Sequence, residues 1–158
     1  MVQKFAIFSA VLFNALVTGA AFAIWIDYNP TGMSPSFYTQ KMQHAIRIFT
    51  IPLPTVVILA VVFTIASTVL ARHDRSEFLA LMIASICIVA VALITALGNI
   101  PINNQIKTWN ISSPPVNWGD LAWRWWYFQT VRMLVAIGGL CFSIVSVLGL
   151  TRNRSLVG

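Results

Sequence analysis

The chain has 158 residues, of which 58% are apolar and only 9% are charged. A soluble domain carries about 25% charged residues, and the four acidic side chains of this one are too few to solubilise so apolar a surface. The composition also excludes an intrinsically disordered chain, because disorder requires low hydrophobicity and high charge. The sequence therefore predicts an integral membrane protein.

The basic residues do not indicate a nucleic-acid partner. The formal net charge is +6, but the lysines and arginines stand singly or in pairs, whereas a nucleic-acid-binding protein clusters them on one face. We therefore expect the cations to contact the anionic head groups of membrane lipids. Cys87 and Cys141 lie within apolar runs, which is not typical of a secreted disulfide or of a structural zinc site.

Four apolar stretches are long enough to cross the hydrocarbon core, which takes about 20 helical residues. The predicted spans are residues 5–26, 51–71, 78–98 and 124–150. In the fourth, the apolar run begins only at Met133, so we expect its helix to start earlier and to carry polar residues toward the head groups. Uninterrupted runs of this length exclude the alternating pattern of a membrane β-barrel. We predict an all-α integral membrane four-helix bundle that forms a single domain over residues 1–158, with small residues such as Gly19 and Gly139 at helix contacts.

The first span also has features of a signal peptide, since Lys4 precedes an apolar core that ends in Ala21-Phe22-Ala23. We interpret this segment as the first transmembrane helix.

The lysines and arginines of the short loops predict the orientation. One side of a four-span chain would carry Lys4, Arg72, Arg75, Arg152 and Arg154. The other side would carry Lys41, Arg47 and Lys107, with Arg124 and Arg132 close to it. The positive-inside rule then favours a multi-pass protein of the plasma (inner) membrane with both termini in the cytoplasm.

Aromatic residues gather at one end of the predicted bundle. All six tryptophans and all three tyrosines fall on the predicted outer side, in or beside two long connections, residues 27–50 and 99–132. An aromatic belt normally marks both membrane interfaces, and loops of this length are often functional. Two interpretations follow: the connections enclose a Trp/Tyr-rich cavity, or they form an interfacial belt with a small ectodomain.

The first connection predicts a short amphipathic helix between the first and second spans. Ser34 is a suitable N-cap, and Pro35 suits the first helical position. The apolar face would be formed by Phe37, Tyr38, Met42, Ala45, Ile46 and Phe49. Such a helix would lie on the membrane or cap the bundle.

Two ionisable residues near this end are candidate site residues. His44, beside Arg47, is suited to act as a general base or a metal ligand, or is simply a solvated interfacial histidine. Asp27 ends the first span and is positioned to neutralise Arg124 or Arg132. We expect such an arginine pair, with catalysis as a second interpretation.

Three asparagines, Asn99, Asn103 and Asn104, surround Pro101 at the end of the third span. Because proline disfavours helix at the preceding residue, we expect the helix to break at Ile100. The asparagine amides would then satisfy the freed backbone groups or face a carbonyl or hydroxyl of a substrate.

The fourth span carries a polar stripe on one face. Trp125, Gln129 and Arg132 follow at spacings i, i+4 and i+7, and Trp126 lies beside them. Arg132 would stabilise a developing oxyanion, or it would extend to the outer interface with its charge in water.

Two segments carry a family resemblance. The segment GNIPINNQI, followed by a Trp-rich stretch and WWYFQTVR, resembles the anthrone oxygenase-like family of small four-span membrane proteins. That family has a Pro-x-Asn element after its third helix, and a tryptophan and an amide or histidine before a Val-Arg pair. The matching positions are Pro101, Asn103, Trp126, Gln129, Val131 and Arg132. Gln129 stands where asparagine is more frequent in the family.

The resemblance implies a monooxygenase-type activity that converts the ring methylene of a polyketide anthrone to a carbonyl with molecular oxygen. Some such enzymes use neither metal nor flavin. In this chain His44 would be the base, Arg132 and Asn103 would stabilise the oxyanion, and Trp125 with Trp126 would form an aromatic slot. Further substrate contacts would come from Asn99, Asn104, Gln129 and Asp27.

Two other functions stay open at this stage. In the first, His44 ligates a haem or a single metal, since one axial histidine suffices for a pentacoordinate haem. In the second, the protein is a non-catalytic small membrane subunit or lipid-binding protein that assembles with a partner or with further copies of itself. No cofactor is evident from the sequence, and the expected partners are membrane lipids and a small hydrophobic substrate.

Overall fold

The structure, a computed structural model, describes the backbone of residues 1–154 and the side chains of residues 1–148. Within these residues the chain forms helices α1 (Val2–Asp27), α2 (Pro35–Phe49), α3 (Pro52–Leu70), α4 (Arg75–Ile94), a π-helical turn (Thr95–Asn99), α5 (Ile100–Ile106) and α6 (Trp118–Arg154). The predicted all-α class and the short helix between the first two spans are confirmed. The last four residues of the predicted domain, and the side chains of Arg152 and Arg154, lie outside the described residues.

Four helices in the described chain are long and apolar enough to cross a membrane. They are Val2–Asp27, Pro52–Leu70, Arg75–Ile106 and Trp118–Leu148, which confirms the four predicted spans. The third is longer than predicted because α4, the π turn and α5 run on continuously, and the fourth begins six residues before the predicted residue 124. The chain is therefore a multi-pass membrane protein, and its orientation stays a prediction.

The four spans form a closed ring in which α1 and α4 each pack against both α3 and α6. Consecutive spans are therefore antiparallel neighbours. Interhelical hydrogen bonds join them: Asn14 Nδ2 donates to Thr64 Oγ1 at 2.8 Å, and Thr18 Oγ1 donates to the Ala136 carbonyl at 3.1 Å. Such bonds and close packing hold helices together in lipid, where there is little hydrophobic drive for association.

A small residue permits close approach where α4 meets α6. A Cβ on Gly139 would lie 3.0 Å from Cys87 Cβ, whereas a Cβ on Gly19 would meet nothing within 4 Å. The prediction is therefore right for Gly139 and wrong for Gly19, because Gly19 lies on the exposed side of α1.

Helix α2 covers one end of the bundle, which we call the aromatic end: the last turn of α1, α2, α5 and the first turns of α6. Ser34 Oγ accepts a hydrogen bond from the Phe37 amide at 3.3 Å, which confirms the predicted cap. Tyr38, Met42 and Ala45 are buried, whereas Phe37 is 53% exposed. The side-chain amide of Gln43 donates to the Ile106 and Trp109 carbonyls, both at 2.9 Å, so α2 is fastened to the end of α5.

The expected helix break at Pro101 is wrong. The chain passes from α4 through the π turn Thr95–Asn99 into α5, and the Ile100 amide donates to the Thr95 carbonyl. Proline disrupts an α-helix because its ring meets the carbonyl of residue i−4 and it has no N–H. A π turn spaces its hydrogen bonds by five residues and inserts one extra residue, so the helix accommodates Pro101 without ending.

The π turn lies tightly against α6, and Gly98 is the residue that permits this. A Cβ on Gly98 would lie 2.6 Å from Cγ of the Phe128 ring, so we expect Gly98→Ala to lower the free energy of unfolding by about 1–3 kcal/mol. Thermal unfolding in detergent measures the effect, with Gly19→Ala as the control that should not lower the melting temperature. Equal melting temperatures for Gly98→Ala and the parent would contradict the close contact.

The buried hydroxyl of Tyr38 should make the free energy of unfolding depend on pH. This hydroxyl is buried and has no hydrogen-bond partner in the described chain, and burial raises its pKa above the ordinary value. The unfolded chain loses this proton near pH 10 while the folded chain keeps it, so stability falls as the pH rises above about 10. We expect Tyr38→Phe to be at least as stable as the parent at pH 7, because it removes a buried hydroxyl without a partner, and to lose less stability by pH 11. Parallel curves for the two proteins would contradict this.

Candidate functional site

A cavity of about 450 Å³ lies inside the aromatic end of the bundle. Residues from α1, α2, α3, α4 with its π turn and α5, and α6 line it, and most are aliphatic or small. The aromatic members are Tyr28, Phe49 and Trp125, and the polar members are Thr50, Thr95, Asn99, Asn103, Asn104, Lys107 and Arg132. The lining is therefore less rich in tryptophan and tyrosine than predicted. The result is an apolar chamber with polar groups along its α5 and α6 walls.

The principal charge in this chamber is the guanidinium of Arg132. Its Nη1 donates to Thr95 Oγ1 at 3.1 Å, and its Nη2 donates to Gln129 Oε1. The third nitrogen, Nε, is buried and has no hydrogen-bond partner among the described residues. The hydrogen-bond partners of this cation among the described residues are thus neutral oxygens, which leaves its positive charge uncompensated by a carboxylate.

Gln129 positions Arg132 without lining the cavity. It is fully buried, and its Nε2 donates to the Ala21 carbonyl of α1 at 2.8 Å. Because the amide nitrogen is committed to α1, the amide oxygen is left to accept from Arg132. This confirms that Gln129 and Arg132 share one face of α6.

Trp125 is held on two sides by the asparagines of the third span. Its Nε1 donates to Asn103 Oδ1 at 2.8 Å, and Asn99 Nδ2 donates to its carbonyl at 3.2 Å. The Tyr28 ring lies with its centroid 6.1 Å from that of Trp125. The indole therefore has a defined orientation in the cavity wall.

Within the part of the chain that the structure describes, two buried polar atoms of the lining residues lack hydrogen-bond partners: Asn99 Oδ1 and Arg132 Nε. A buried polar group without a partner costs about 1–3 kcal/mol. Asn99 Oδ1 is an acceptor, and Arg132 Nε–H is a donor. A ligand hydroxyl, which both donates and accepts, would complement either atom.

The remaining predicted site residues lie either at the exposed edge of the cavity lining, which we call its mouth, or outside the bundle. Asn104 is exposed at the mouth and accepts from Lys107 Nζ at 3.3 Å. Trp126 lies outside the lining, where its Nε1 donates to the Trp25 carbonyl at 3.1 Å and its ring stacks on the Trp25 ring.

His44 lies away from the cavity. It is exposed on α2, and its Nδ1 is 3.3 Å from Arg47 Nη2. A haem or metal ligated by His44 would therefore lie on the outer face of α2, so the residues present do not fit such a group in the cavity. The described residues contain no cluster of three or more histidine, cysteine or acidic side chains that would hold a metal ion.

The expected pairing of Asp27 with an arginine is wrong. Lys41 Nζ contacts both the Asp27 carboxylate and the Asp27 carbonyl, each at 2.7 Å. The reason is that α2 folds back over the end of α1 and brings Lys41 there, while Arg132 lies deeper in α6. Burial, and to a smaller extent the neighbouring Asp27 carboxylate, raises the pKa of Tyr28.

Thr95 and Tyr28 belong to the site but were missed in the sequence. Thr95 lies four residues before Asn99 and eight before Asn103, so these three positions form a polar stripe with helical spacing. That stripe was a usable signal. Tyr28 carried no comparable signal, because its contact with Trp125 depends on how α1 meets α6.

The sequence was also compared with known proteins. A family model described as "Anthrone oxygenase" matches residues 42–142. This range includes Thr95, Asn99, Asn103, Gln129 and Arg132, but not α1. Neither curated proteins nor solved structures give a match.

From its contacts, we expect removal of the Gln129 amide to destabilise the folded protein. Gln129→Leu leaves the Arg132 Nη2 and the Ala21 carbonyl without their partner, so we expect the free energy of unfolding to fall by about 1–3 kcal/mol. The matched control is Gln105→Leu, at an exposed position on α5. Denaturation in the same detergent compares them, and equal losses for the two variants would refute the positioning role of Gln129.

Proposed function

Because the chain belongs to the anthrone oxygenase family, we propose that it is a membrane-embedded oxidoreductase acting on a small hydrophobic aromatic substrate in the cavity. The observation that supports this most is the Arg132 guanidinium, an uncompensated cation facing an apolar chamber. Ionisable groups at membrane depth are costly and are usually functional.

The substrate would lie flat in the chamber, with its rings against the aliphatic wall and Trp125. Cavities of about 300–1,000 Å³ hold small ligands and combine apolar walls with a few placed polar groups. A phenolic hydroxyl or ketone oxygen of the substrate would then be held by Arg132, and a hydroxyl also by Asn99. Asn103 acts through the orientation of Trp125.

The chemistry begins with loss of a proton from the ring methylene. The electron pair left on carbon delocalises through the ring to the ketone oxygen, which becomes an oxyanion. Arg132 stabilises that charge more than it stabilises the neutral ketone, and this differential stabilisation lowers the barrier. The preorganised contacts of the guanidinium with Gln129 and Thr95 mean that little reorganisation is needed.

The electron-rich carbanion then reduces molecular oxygen. One oxygen atom forms the new carbonyl and the other leaves as water, so that R₂CH₂ + O₂ gives R₂C=O + H₂O. The methylene loses two hydrogens and the product water contains two, so the overall equation balances even though the first proton leaves through a base. This is the balance of a monooxygenase whose substrate itself supplies the electrons.

The proton acceptor must reach the cavity, which His44 does not in this fold. Among the described lining residues, Lys107 is the amine at the mouth, with its Nζ near Asn104. It is the group that would take the methylene proton and pass it to the interface.

A second candidate is a lipid-binding protein without catalysis. The predominantly aliphatic lining of the cavity favours it, since such walls suit acyl chains as well as aromatic rings. In that case Arg132 would bind a lipid head-group oxygen and substrate turnover would be absent.

The decisive experiment measures oxygen consumption by the purified protein in nanodiscs with an anthrone. We expect one carbonyl product per oxygen molecule in the parent protein. Arg132→Met should lower the rate about 100-fold, since removing one oxyanion donor costs this much in other enzymes. The matched control is Arg124→Met on the same helix, whose exposed guanidinium lies over the Phe128 ring outside the cavity lining.

Two outcomes would contradict the proposal. Oxygen uptake no faster than in empty nanodiscs would exclude the oxygenase activity, and tightly bound lipid in the same sample would favour the second candidate. Equal rates for Arg132→Met and Arg124→Met would remove Arg132 from the mechanism. An absorption spectrum and metal analysis of the same preparation test the haem or metal alternative, because a stoichiometric metal or a Soret band would require a different centre.

A further inference from the structure

The exposed residues of the cavity lining lie on two facing elements. On one side they are Thr50, Pro54 and Ile58, at the start of and along α3; on the other they are Ala96, Ile100, Asn104 and Lys107, along the π turn and α5. The other lining residues are buried or half-buried. They lie on α1, α2, α4 and α6, and also include Leu53, Val56 and Val57 of α3, Thr95, Asn99 and Asn103. The cavity therefore opens as a slit between α3 and the π–α5 segment, which we call the lateral mouth.

The depth of the lateral mouth follows from the length of α3. This helix has 19 residues, which span about 28 Å at 1.5 Å per residue. The hydrocarbon core is about 30 Å thick, so the whole of α3 must lie within it. Ile58, six residues after the first residue of α3, lies about 9 Å into that core. The lateral mouth therefore faces lipid acyl chains.

The direct route from water is closed by α2. Its own residues Tyr38 and Met42 are buried on the side that faces the bundle, and the Gln43 amide fastens the helix to the Ile106 and Trp109 carbonyls. Ile46 and Phe49 of α2 form part of the cavity lining. An apolar ligand would have to displace this helix to pass along the bundle axis.

The lateral mouth also has a polarity gradient along its length. Lys107 and Asn104 lie at its outer end, whereas Ile100, Ala96 and Ile58 lie deeper. A molecule with a hydroxyl-bearing edge and an apolar body, dissolved in the bilayer with that edge toward the head groups, has the same gradient. It would enter the lateral mouth from the bilayer without crossing water.

We propose that the lateral mouth admits the ligand of the cavity directly from the bilayer, and that Ile58 and Ala96 set the width of ligand that passes. The identity of the ligand as an aromatic hydroxyl compound rests on the proposed function, whereas the route rests on the exposure pattern and the length of α3. Molecular oxygen also partitions into hydrocarbon, so both reactants of the proposed oxidation would use the same opening.

The experiment narrows the lateral mouth with single substitutions. Ala96→Phe and Ile58→Phe place a ring at the two sides of the slit, while Leu97→Phe and Val62→Phe place one at exposed neighbouring positions outside the lining. The probe is a hydroxyanthraquinone dissolved in nanodisc lipid, which quenches tryptophan fluorescence on binding and is not consumed. We expect association to slow about tenfold for the first two variants and to change less than about twofold for the controls.

A second measurement keeps the test independent of any ligand. A nitroxide attached to the introduced thiol of Ile58→Cys or Ala96→Cys, in a Cys87→Ala, Cys141→Ala background, should relax strongly with molecular oxygen, which concentrates in lipid. A water-soluble nickel chelate should have little effect. Stronger relaxation by the chelate at both positions would overturn the lateral mouth, as would unchanged association in Ala96→Phe and Ile58→Phe. Probe binding through the mouth without oxygen uptake would refute the oxygenase proposal and leave this route standing.

Discussion

A charged guanidinium inside an apolar bundle constrains much of the arrangement around it. Arg132 reaches Gln129 on its own helix and Thr95 on the π turn, and Gln129 in turn reaches the Ala21 carbonyl of α1. This series of hydrogen bonds fixes the relative axial positions of three of the four spans at the depth of the cavity. Because an unpaired polar group at this depth is costly, sliding any of these helices past the others would break these hydrogen bonds and lower the free energy of unfolding.

The π turn contacts the Arg132 guanidinium from the third span. It carries the third span past Pro101 as an unbroken helix while Gly98 lets its backbone lie against Phe128. The same turn presents Thr95 to Arg132 and Asn99 to the Trp125 carbonyl. Local widening of a helix often marks functional positions, and here it allows one helix both to hold the charged residue and to form half of the opening to the membrane.

Much of this fold could be predicted from the sequence because a bilayer tolerates few structures. Long apolar runs must be helices, and the Ser34-Pro35 pair marks the start of α2 through its capping chemistry. The apolar positions Tyr38, Met42 and Ala45 also imply that His44 faces away from the bundle, so its distance from the cavity was derivable from helical periodicity. The Asp27–Lys41 pair was not, because it depends on how α2 folds back over α1. The passage through Pro101 also depends on tertiary packing, which local propensity does not encode.

The hydrogen bond between Gln129 and Arg132 has a consequence for how the protein enters the membrane. Its two residues are three positions apart on one helix, so the bond can form as soon as α6 coils, before any other span is in place. The nascent helix would then leave the insertion machinery with the Arg132 guanidinium already hydrogen-bonded to the Gln129 side chain. Thr95 and the Ala21 carbonyl would be needed only later, when the inserted helices find one another in the lipid.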